Sequence, residues 1–260
     1  MEVLQRPGGE LATRPIHFFW VVDCSGSMYG EKIGIVNNTI QECIPEMRSA
    51  ADNNPNAQLL IRALQFSSGA SWITSSPVPV EDYGWEDMDA NGLTEMGKAF
   101  DLLAAQLSIP PMPERALPPV IVLLSDGQPT DDYKKSMEKL KKLPWFRKAV
   151  KIAISIGQDA DDEVLIEFAG NKELVLQANN ATALAKMIKW ASTTASMVSA
   201  PSSKPMNSVA ASTPASASGA SAVASVPADD PFAPANNGAP LVLDMSNIPN
   251  PDDFDEGAVW

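Results

Sequence analysis

Between Ile16 and Ser196, short apolar runs alternate with segments whose apolar residues recur at helical spacing. The first run, IHFFWVV, is continuously apolar, which is typical of a strand covered on both faces of a parallel sheet. The apolar residues that follow recur at i, i+3, i+4 and i+7 and predict one buried helical stripe: Ile33, Val36, Ile40, Cys43, Ile44 and Met47. This rhythm predicts an α/β fold with a doubly wound, mostly parallel sheet and helices on both faces.

Later segments continue the pattern. Further strands are predicted at QLLIRALQF, PPVIVLLSD, KAVKIAISIG and KELVLQA, with ASWITSS as a short edge strand beside the first of these. Helices are predicted at TEMGKAFDLLAAQL, from Thr130 to about Leu143, at DDEVLIEFAG and at ATALAKMIKWAS. Thr130 is expected to be an N-cap, and Asp131 and Asp132 suit the positive end of that helix dipole or the rim of a site.

The composition divides the chain into four parts. An N-terminal extension (residues 1–14) precedes the domain (15–196), and a Ser/Ala/Pro-rich segment (197–240) is predicted to be a disordered, flexible linker. Residues 241–260 form an acidic peptide that is too short to fold alone and is expected to bind a groove or partner. Its carboxylates or its aromatic residues are the expected contacts: Asp252, Asp253, Asp255, Glu256, Phe254 and Trp260.

The net charge of −13 argues against nucleic acid or an anionic membrane as the main partner and suits cations or basic surfaces. The two cysteines, Cys24 and Cys43, are expected to be small buried residues of a reduced compartment. The first residues lack the apolar core of a signal peptide, and no run approaches the roughly 20 apolar residues of a membrane span. We therefore expect a soluble, cytoplasmic protein.

Two predicted strands end in aspartate, Asp23 and Asp126, and ligands of open α/β sheets lie beyond such strand ends, where the strand order reverses. Ser25 and Ser27 follow Asp23, and Thr94 precedes a predicted helix. Hydroxyl and carboxylate oxygens suit Mg²⁺, with Mn²⁺ as the alternative. If hydroxyls contact the ion directly and the aspartates act through water, the ion stays electrophilic, and a partner's carboxylate can complete its shell.

Asp23-Cys24-Ser25-Gly26-Ser27, Thr94 and Ser125-Asp126-Gly127 resemble the metal-ion-dependent adhesion site (MIDAS) of von Willebrand factor A domains. The resemblance implies that Ser25, Ser27 and Thr94 are hydroxyl ligands. It also implies that Asp23 and Asp126 are acidic ligands, direct or through water.

Four further segments are most similar to bacterial tellurite-resistance-associated proteins of the TerY type: MYGEKIGIVNNTIQE, NGLTEMGKAF, LLSDGQPTDDY and IKWAS. That likeness implies a non-enzymatic adaptor that binds a Ser/Thr kinase and a PP2C-like phosphatase in stress or defence signalling. The cysteine-rich metal ribbon of some relatives is not found in this sequence.

Several alternatives stay open. The domain could recruit substrates for an AAA+ ATPase, or act as a metal-dependent phosphohydrolase, although no Walker loop, second-metal carboxylate cluster or catalytic base accompanies the motif. An extracellular adhesin is the weakest alternative. The site could bind the acidic peptide of its own or another copy. His17 is expected to be a packed strand residue, EDYGWEDMD a solvated loop or a docking surface, and KKSMEKLKKL a charged helix face.

Overall fold

The strands form one seven-stranded sheet in the computed structural model, which describes residues 14–52, 57–126, 128–157, 160–180 and 182–189. The strands are β1 Arg14–Asp23, β2 Ala57–Ser67, β3 Gly69–Trp72, β4 Val78–Pro79, β5 Val120–Ser125, β6 Val150–Ile156 and β7 Val175–Ala178. Their order is β3-β2-β1-β5-β6-β7, and β4 also pairs with β2. Among the strands of the described residues, only β3 and β4 are antiparallel to their neighbour. The predicted extension before residue 14, the linker 197–240 and the peptide 241–260 lie outside the described residues.

Helices cover both faces of the sheet, as predicted. They are α1 Glu31–Asp52, α2 Met96–Gln106, α3 Tyr133–Lys142, α4 Pro144–Lys148, α5 Asp162–Ala169 and α6, residues 182–189. Alternate residues of β1 point to opposite faces. Phe18 and Trp20 pack in a core with α1 and α6, whereas Phe19 and Val21 pack in a second core with α2, α3, α4 and α5. Because both faces are buried, β1 has no polar alternation.

The predicted elements are confirmed, with two additions and one correction. The apolar pattern does not predict β4, which pairs through only two residues, or α4, a five-residue helix that begins at Pro144. The prediction that Thr130 caps α3 is wrong: Asp132 precedes the helix and makes no side-chain cap bond. The hydroxyl oxygen of Thr130 instead accepts a hydrogen bond from the backbone N–H of Thr94 at 3.2 Å.

Asp131 binds the N-terminus of α2, a helix other than the one it precedes. Its two carboxylate oxygens accept hydrogen bonds from the backbone N–H groups of Gly97 at 3.0 Å and Lys98 at 3.3 Å. The first N–H groups of a helix have no partner inside it, so this contact satisfies two of them. A Cβ atom on Gly97 would lie 2.8 Å from the Asp131 carboxylate and 3.0 Å from Tyr133 Cα. Only glycine therefore permits this close approach of α2 to the start of α3.

His17 lies in the half of β1 that is remote from Asp23. Its ring stacks on Phe19 with centroids 5.8 Å apart, and neither ring nitrogen has a hydrogen-bond partner among the described residues. Burial lowers the pKa of His17 to about 4. The residue is a packed strand residue, as expected. Both cysteines are buried and form no disulfide in the described part of the chain.

We predict that His17→Leu weakens the loss of stability in acid. The unfolded chain protonates this residue near its ordinary pKa of 6.5, whereas the native protein does so only near 4. Native stability therefore falls as pH drops through this window, by about 2 kcal/mol between pH 7.5 and pH 5. Urea unfolding of both proteins at the two pH values measures the effect. Contributions of other groups cancel in the comparison, and an unchanged pH dependence in the variant would contradict the assignment.

Candidate metal centre

The Asp23 carboxylate lies at the carboxyl end of β1, fully buried between two loops. One oxygen accepts a hydrogen bond from the Ser25 backbone N–H at 2.9 Å, and the other accepts one from the Ser125 hydroxyl at 2.5 Å. Val22 pairs with Leu124 across β1 and β5, which places Asp23 beside Ser125. These two strands are neighbours at the point where the strand order reverses, as a site shared by Asp23 and Asp126 requires.

The hydroxyl oxygens of Ser25 and Ser27 lie 3.0 Å apart in the loop that follows β1. Ser25 is buried and Ser27 is exposed, so the pair runs from the interior to the surface. A short 3-10 turn, Gly26–Met28, sets this spacing, and the buried Met28 side chain anchors it. Adjacent ligands of an octahedral Mg²⁺ ion with bonds of 2.0–2.1 Å lie about 2.9 Å apart. The two hydroxyls form a hydrogen bond with each other, and their separation also fits two ligands of one shared magnesium ion.

Backbone hydrogen bonds join the Thr94 loop to both other loops. The N–H of Gly26 donates to the carbonyl of Gly92 at 3.0 Å, and the N–H of Thr130 donates to the carbonyl of Thr94 at 2.9 Å. Gly92 has a φ of +79°, and a Cβ atom there would lie 2.5 Å from the Ser68 hydroxyl. The structure thus brings the three predicted segments together at one edge of the sheet, with Thr94 buried between them.

Asp126 is the second acidic side chain of the site. It is buried, and its Oδ1 atom has no hydrogen-bond partner in the part of the chain that the structure describes. Its charge adds to burial, the main cause, in raising the pKa of Asp23 to about 6, while hydrogen bonds from Ser125 and Ser25 oppose the rise. A buried carboxylate oxygen without a partner is costly unless a cation or water satisfies it. The donor set and the orphaned oxygen therefore fit a hard divalent cation.

No group of three or more His, Cys, Asp or Glu side chains forms a metal-binding cluster among the described residues. The predicted ligands are three hydroxyls and two carboxylates and so do not constitute such a group. From the sequence, Ser125, which orients Asp23, had no separate role, and Thr130, which holds the Thr94 loop, was predicted to be a helix cap. The position of Ser125 directly before Asp126 in the sequence was the signal that could have indicated its role. The role of Thr130 depends on a contact between loops that are distant in sequence, and no sequence signal indicates it.

Two large apolar side chains are exposed on the loops that carry the predicted ligands. Tyr29 follows Ser27 by two residues and is 79% exposed, and Leu93 directly precedes Thr94 and is 55% exposed. We call these two residues the apolar rim. The aromatic residues of the EDYGWEDMD segment are not exposed anchors, because Tyr83 is buried and Trp85 is half-buried with its indole N–H on Asn37 at 3.2 Å.

A family model for the von Willebrand factor type A domain matches residues 19–190, and the chain belongs to that family. No curated protein matches the chain. None of the helices among the described residues is long and apolar enough to cross a membrane.

Solved structures share the fold at low sequence identity. The ArnB paralog VWA2 from Sulfolobus acidocaldarius has a TM-score of 0.51 and 18% identity, covering 68% of this chain and 45% of that one. Proximal thread matrix protein 1 from the mussel byssus, with a zinc-occupied MIDAS motif, has a TM-score of 0.50 and 18% identity, covering 72% of this chain and 47% of that one. The pilus adhesin SpaC from Lactobacillus rhamnosus GG has a TM-score of 0.55 and 14% identity, covering 69% of this chain and 30% of that one. The match thus spans less than half of each of these proteins, and the likeness shows the fold.

We predict that Asp126→Asn lowers Mg²⁺ affinity at least about tenfold while leaving the metal-free protein equally stable or more stable. The substitution keeps the shape of the side chain and removes a buried charge, one of whose oxygens has no hydrogen-bond partner among the described residues, so little native stabilisation is lost. Isothermal titration with Mg²⁺ and thermal unfolding in EDTA measure the two effects. Asp161→Asn, an exposed carboxylate nearby, is the control. A clear loss of stability in EDTA with unchanged metal affinity would mean that Asp126 has a structural role.

Mg²⁺ binding should weaken about tenfold between pH 7.5 and pH 5, because protons compete for Asp23, whose pKa without metal is about 6. A carboxyl whose native pKa lies above its ordinary value also makes the metal-free protein more stable as pH falls through 6. Titrations of wild type and Asp23→Asn at both pH values measure the competition. Equal wild-type affinity at both pH values contradicts a role for the Asp23 carboxylate.

Proposed function

We propose that this chain is a non-enzymatic, metal-dependent protein-binding module that takes a carboxylate of a partner protein at its metal centre. The observation that carries the proposal is the buried Oδ1 atom of Asp126, which has no hydrogen-bond partner among the described residues, together with two serine hydroxyls that lie 3.0 Å apart in the loop after the adjacent strand β1. A set of oxygen donors with an unsatisfied buried carboxylate suits Mg²⁺, or Mn²⁺, better than a transition metal that prefers nitrogen or sulfur.

In this proposal Ser25, Ser27 and Thr94 hold the cation through their hydroxyls, and Asp23 and Asp126 hold it directly or through water. Ser125 and the Ser25 N–H already bind both oxygens of Asp23, which favours a role for that carboxylate through water. Neutral hydroxyl ligands leave most of the positive charge uncompensated. The bound cation then supplies an electrophilic position for an outside carboxylate.

The apolar rim gives the module a means of selecting its partner. Tyr29 and Leu93 expose large apolar side chains next to the loops that carry Ser27 and Thr94. Aromatic and aliphatic side chains at such positions contribute most to binding when a partner buries them. We therefore expect the partner's carboxylate to be flanked by apolar side chains that cover the rim.

The physiological context extends the proposal. The likeness of four segments to TerY-type proteins supports an adaptor role beside a Ser/Thr kinase and a PP2C-like phosphatase in cytoplasmic stress or defence signalling. Hydrolysis of phosphate esters is disfavoured because His17, the only histidine, lies six residues from Asp23 along β1, which is about 20 Å. Recruitment of substrates to an AAA+ ATPase would use the same site with a different partner.

Affinity capture from extracts of the source organism tests the proposal with three variants. Partner binding in Mg²⁺ should be lost in EDTA and in Ser27→Ala, because each removes the cation or one of its ligands. Tyr29→Ser should weaken binding in Mg²⁺ by about tenfold or more, as expected for an interface anchor. Ser76→Ala, at an exposed serine away from these loops, should bind like wild type. A partner that the wild-type protein still binds fully in EDTA, or that Ser27→Ala still binds fully in Mg²⁺, would refute metal-dependent recognition. Phosphate release by the purified protein would favour an enzyme.

A further inference from the structure

The strongest positive charge of this acidic chain lies on α3, α4 and the start of β6. Between Tyr133 and Lys151 the sequence has eight basic residues and one acidic residue, Glu138, although the whole chain has a net charge of −13. The basic residues are Lys134, Lys135, Lys139, Lys141, Lys142, Arg147, Lys148 and Lys151. A local charge of this sign and size attracts an acidic partner.

Only part of this charge is neutralised within the described residues. Lys139 forms a salt bridge with Asp101 at 2.8 Å, and Lys141 forms one with Glu167 at 2.7 Å. Four exposed residues form no salt bridge in the described part of the chain, and we call them the basic ridge: Lys134, Lys135, Lys142 and Arg147.

The basic ridge does not serve the packing of the helices that carry it. The residues that α3 buries are Ser136, Met137 and Leu140, and those that α4 buries are Trp145 and Phe146. Lys134 and Lys135 lie in the first turn of α3, where the positive end of the helix dipole disfavours cations. Lys135 and Lys139 are also like charges at i and i+4, which destabilises a helix slightly. The helix dipole disfavours Lys134 and Lys135, whereas it favours Lys142 in the last turn of α3. For Lys134 and Lys135, an outside anion is therefore a better explanation than the helix dipole.

The chain itself supplies a segment of opposite charge. No lysine or arginine follows Lys204, whereas seven acidic residues do, and four of them lie within residues 252–256. Phe254 lies among these four, and Trp260 follows them. Without a bound cation, the metal face is a poor place for this segment, because the buried carboxylates of Asp23 and Asp126 lie there. The basic ridge offers the opposite sign.

We propose that the acidic peptide 241–260 docks on the basic ridge of its own chain, with the carboxylates of residues 252–256 on Lys134, Lys135, Lys142 and Arg147. About 50 residues separate α6 from this peptide, and a chain of that length spans on average roughly 40 Å. The domain has a radius of gyration of about 16 Å, so the peptide reaches either face of the sheet. A tether of this kind gives effective concentrations on the order of millimolar, which lets a weak electrostatic contact form. Docking here needs no metal and leaves the metal centre open to a partner.

Zero-length carbodiimide crosslinking of the full-length protein at low salt, followed by peptide mapping, tests the proposal. Crosslinks should join residues 252–256 mainly to Lys134, Lys135 and Lys142, remain in EDTA and fall at least about fivefold in 0.5 M NaCl, where charges are screened. A mixture of ¹⁴N and ¹⁵N protein should give crosslinked peptides of one isotope only. Crosslinks spread evenly over all lysines, loss in EDTA, or mixed-isotope pairs would each overturn docking on the ridge of the same chain.

Charge exchange provides the matched variants. Reversing the ridge (Lys134→Glu, Lys135→Glu, Lys142→Glu, Arg147→Glu) should remove the crosslinks of the peptide at the ridge, and so should reversing the peptide (Asp252→Lys, Asp253→Lys, Asp255→Lys, Glu256→Lys). Combining both reversals should restore the crosslinks, which then join the lysines of the peptide to the glutamates of the ridge. The same number of reversals elsewhere, at Lys32, Arg115, Lys172 and Lys186, should have little effect. Failure of the combined variant to restore crosslinking would contradict the proposal.

Discussion

The buried carboxylate of Asp23 is the constraint on which the functional end of this domain depends. It is fixed from two sides, by the backbone of its own loop and by Ser125 from the neighbouring strand β5. This arrangement requires β1 and β5 to be adjacent and parallel, which the sheet order provides. Burial beside Asp126 raises the free energy of the ionised form of Asp23. A cation bound between these loops would lower it, so metal binding and the stability of this end of the domain are coupled.

A second layer of contacts holds the three loops in place without using any predicted ligand side chain. Backbone bonds join Gly26 to Gly92 and Thr94 to Thr130, and Asp131 binds the N-terminus of α2. The serine and threonine hydroxyls are therefore positioned by groups that are themselves hydrogen-bonded. Preorganisation of this kind lowers the cost of ordering side chains when a ligand binds. The site can be assembled before the metal and the partner arrive.

The sequence predicted the sheet, its helices and the convergence of the loops, because continuous apolar strands and helical stripes are strong local signals. It did not predict β4 or α4, since two paired residues and one helical turn leave no periodicity to detect. The cap at Thr130 was wrong because the Thr94 loop, distant in sequence, takes up its hydroxyl oxygen. The exposure of loop side chains could not be predicted from the local sequence either. Tyr83 is buried and Tyr29 is exposed, although both lie in polar loops.

Anomalous diffraction from crystals grown with Mn²⁺ tests the central claim most directly, since it locates the ion independently of any binding assay. A single peak between the loops, with the hydroxyl oxygens of Ser25, Ser27 and Thr94 at bonding distance and a coordination position open toward the apolar rim, is the expected result. A map with no peak there, or an ion bound elsewhere while these hydroxyls keep only protein partners, would contradict the account.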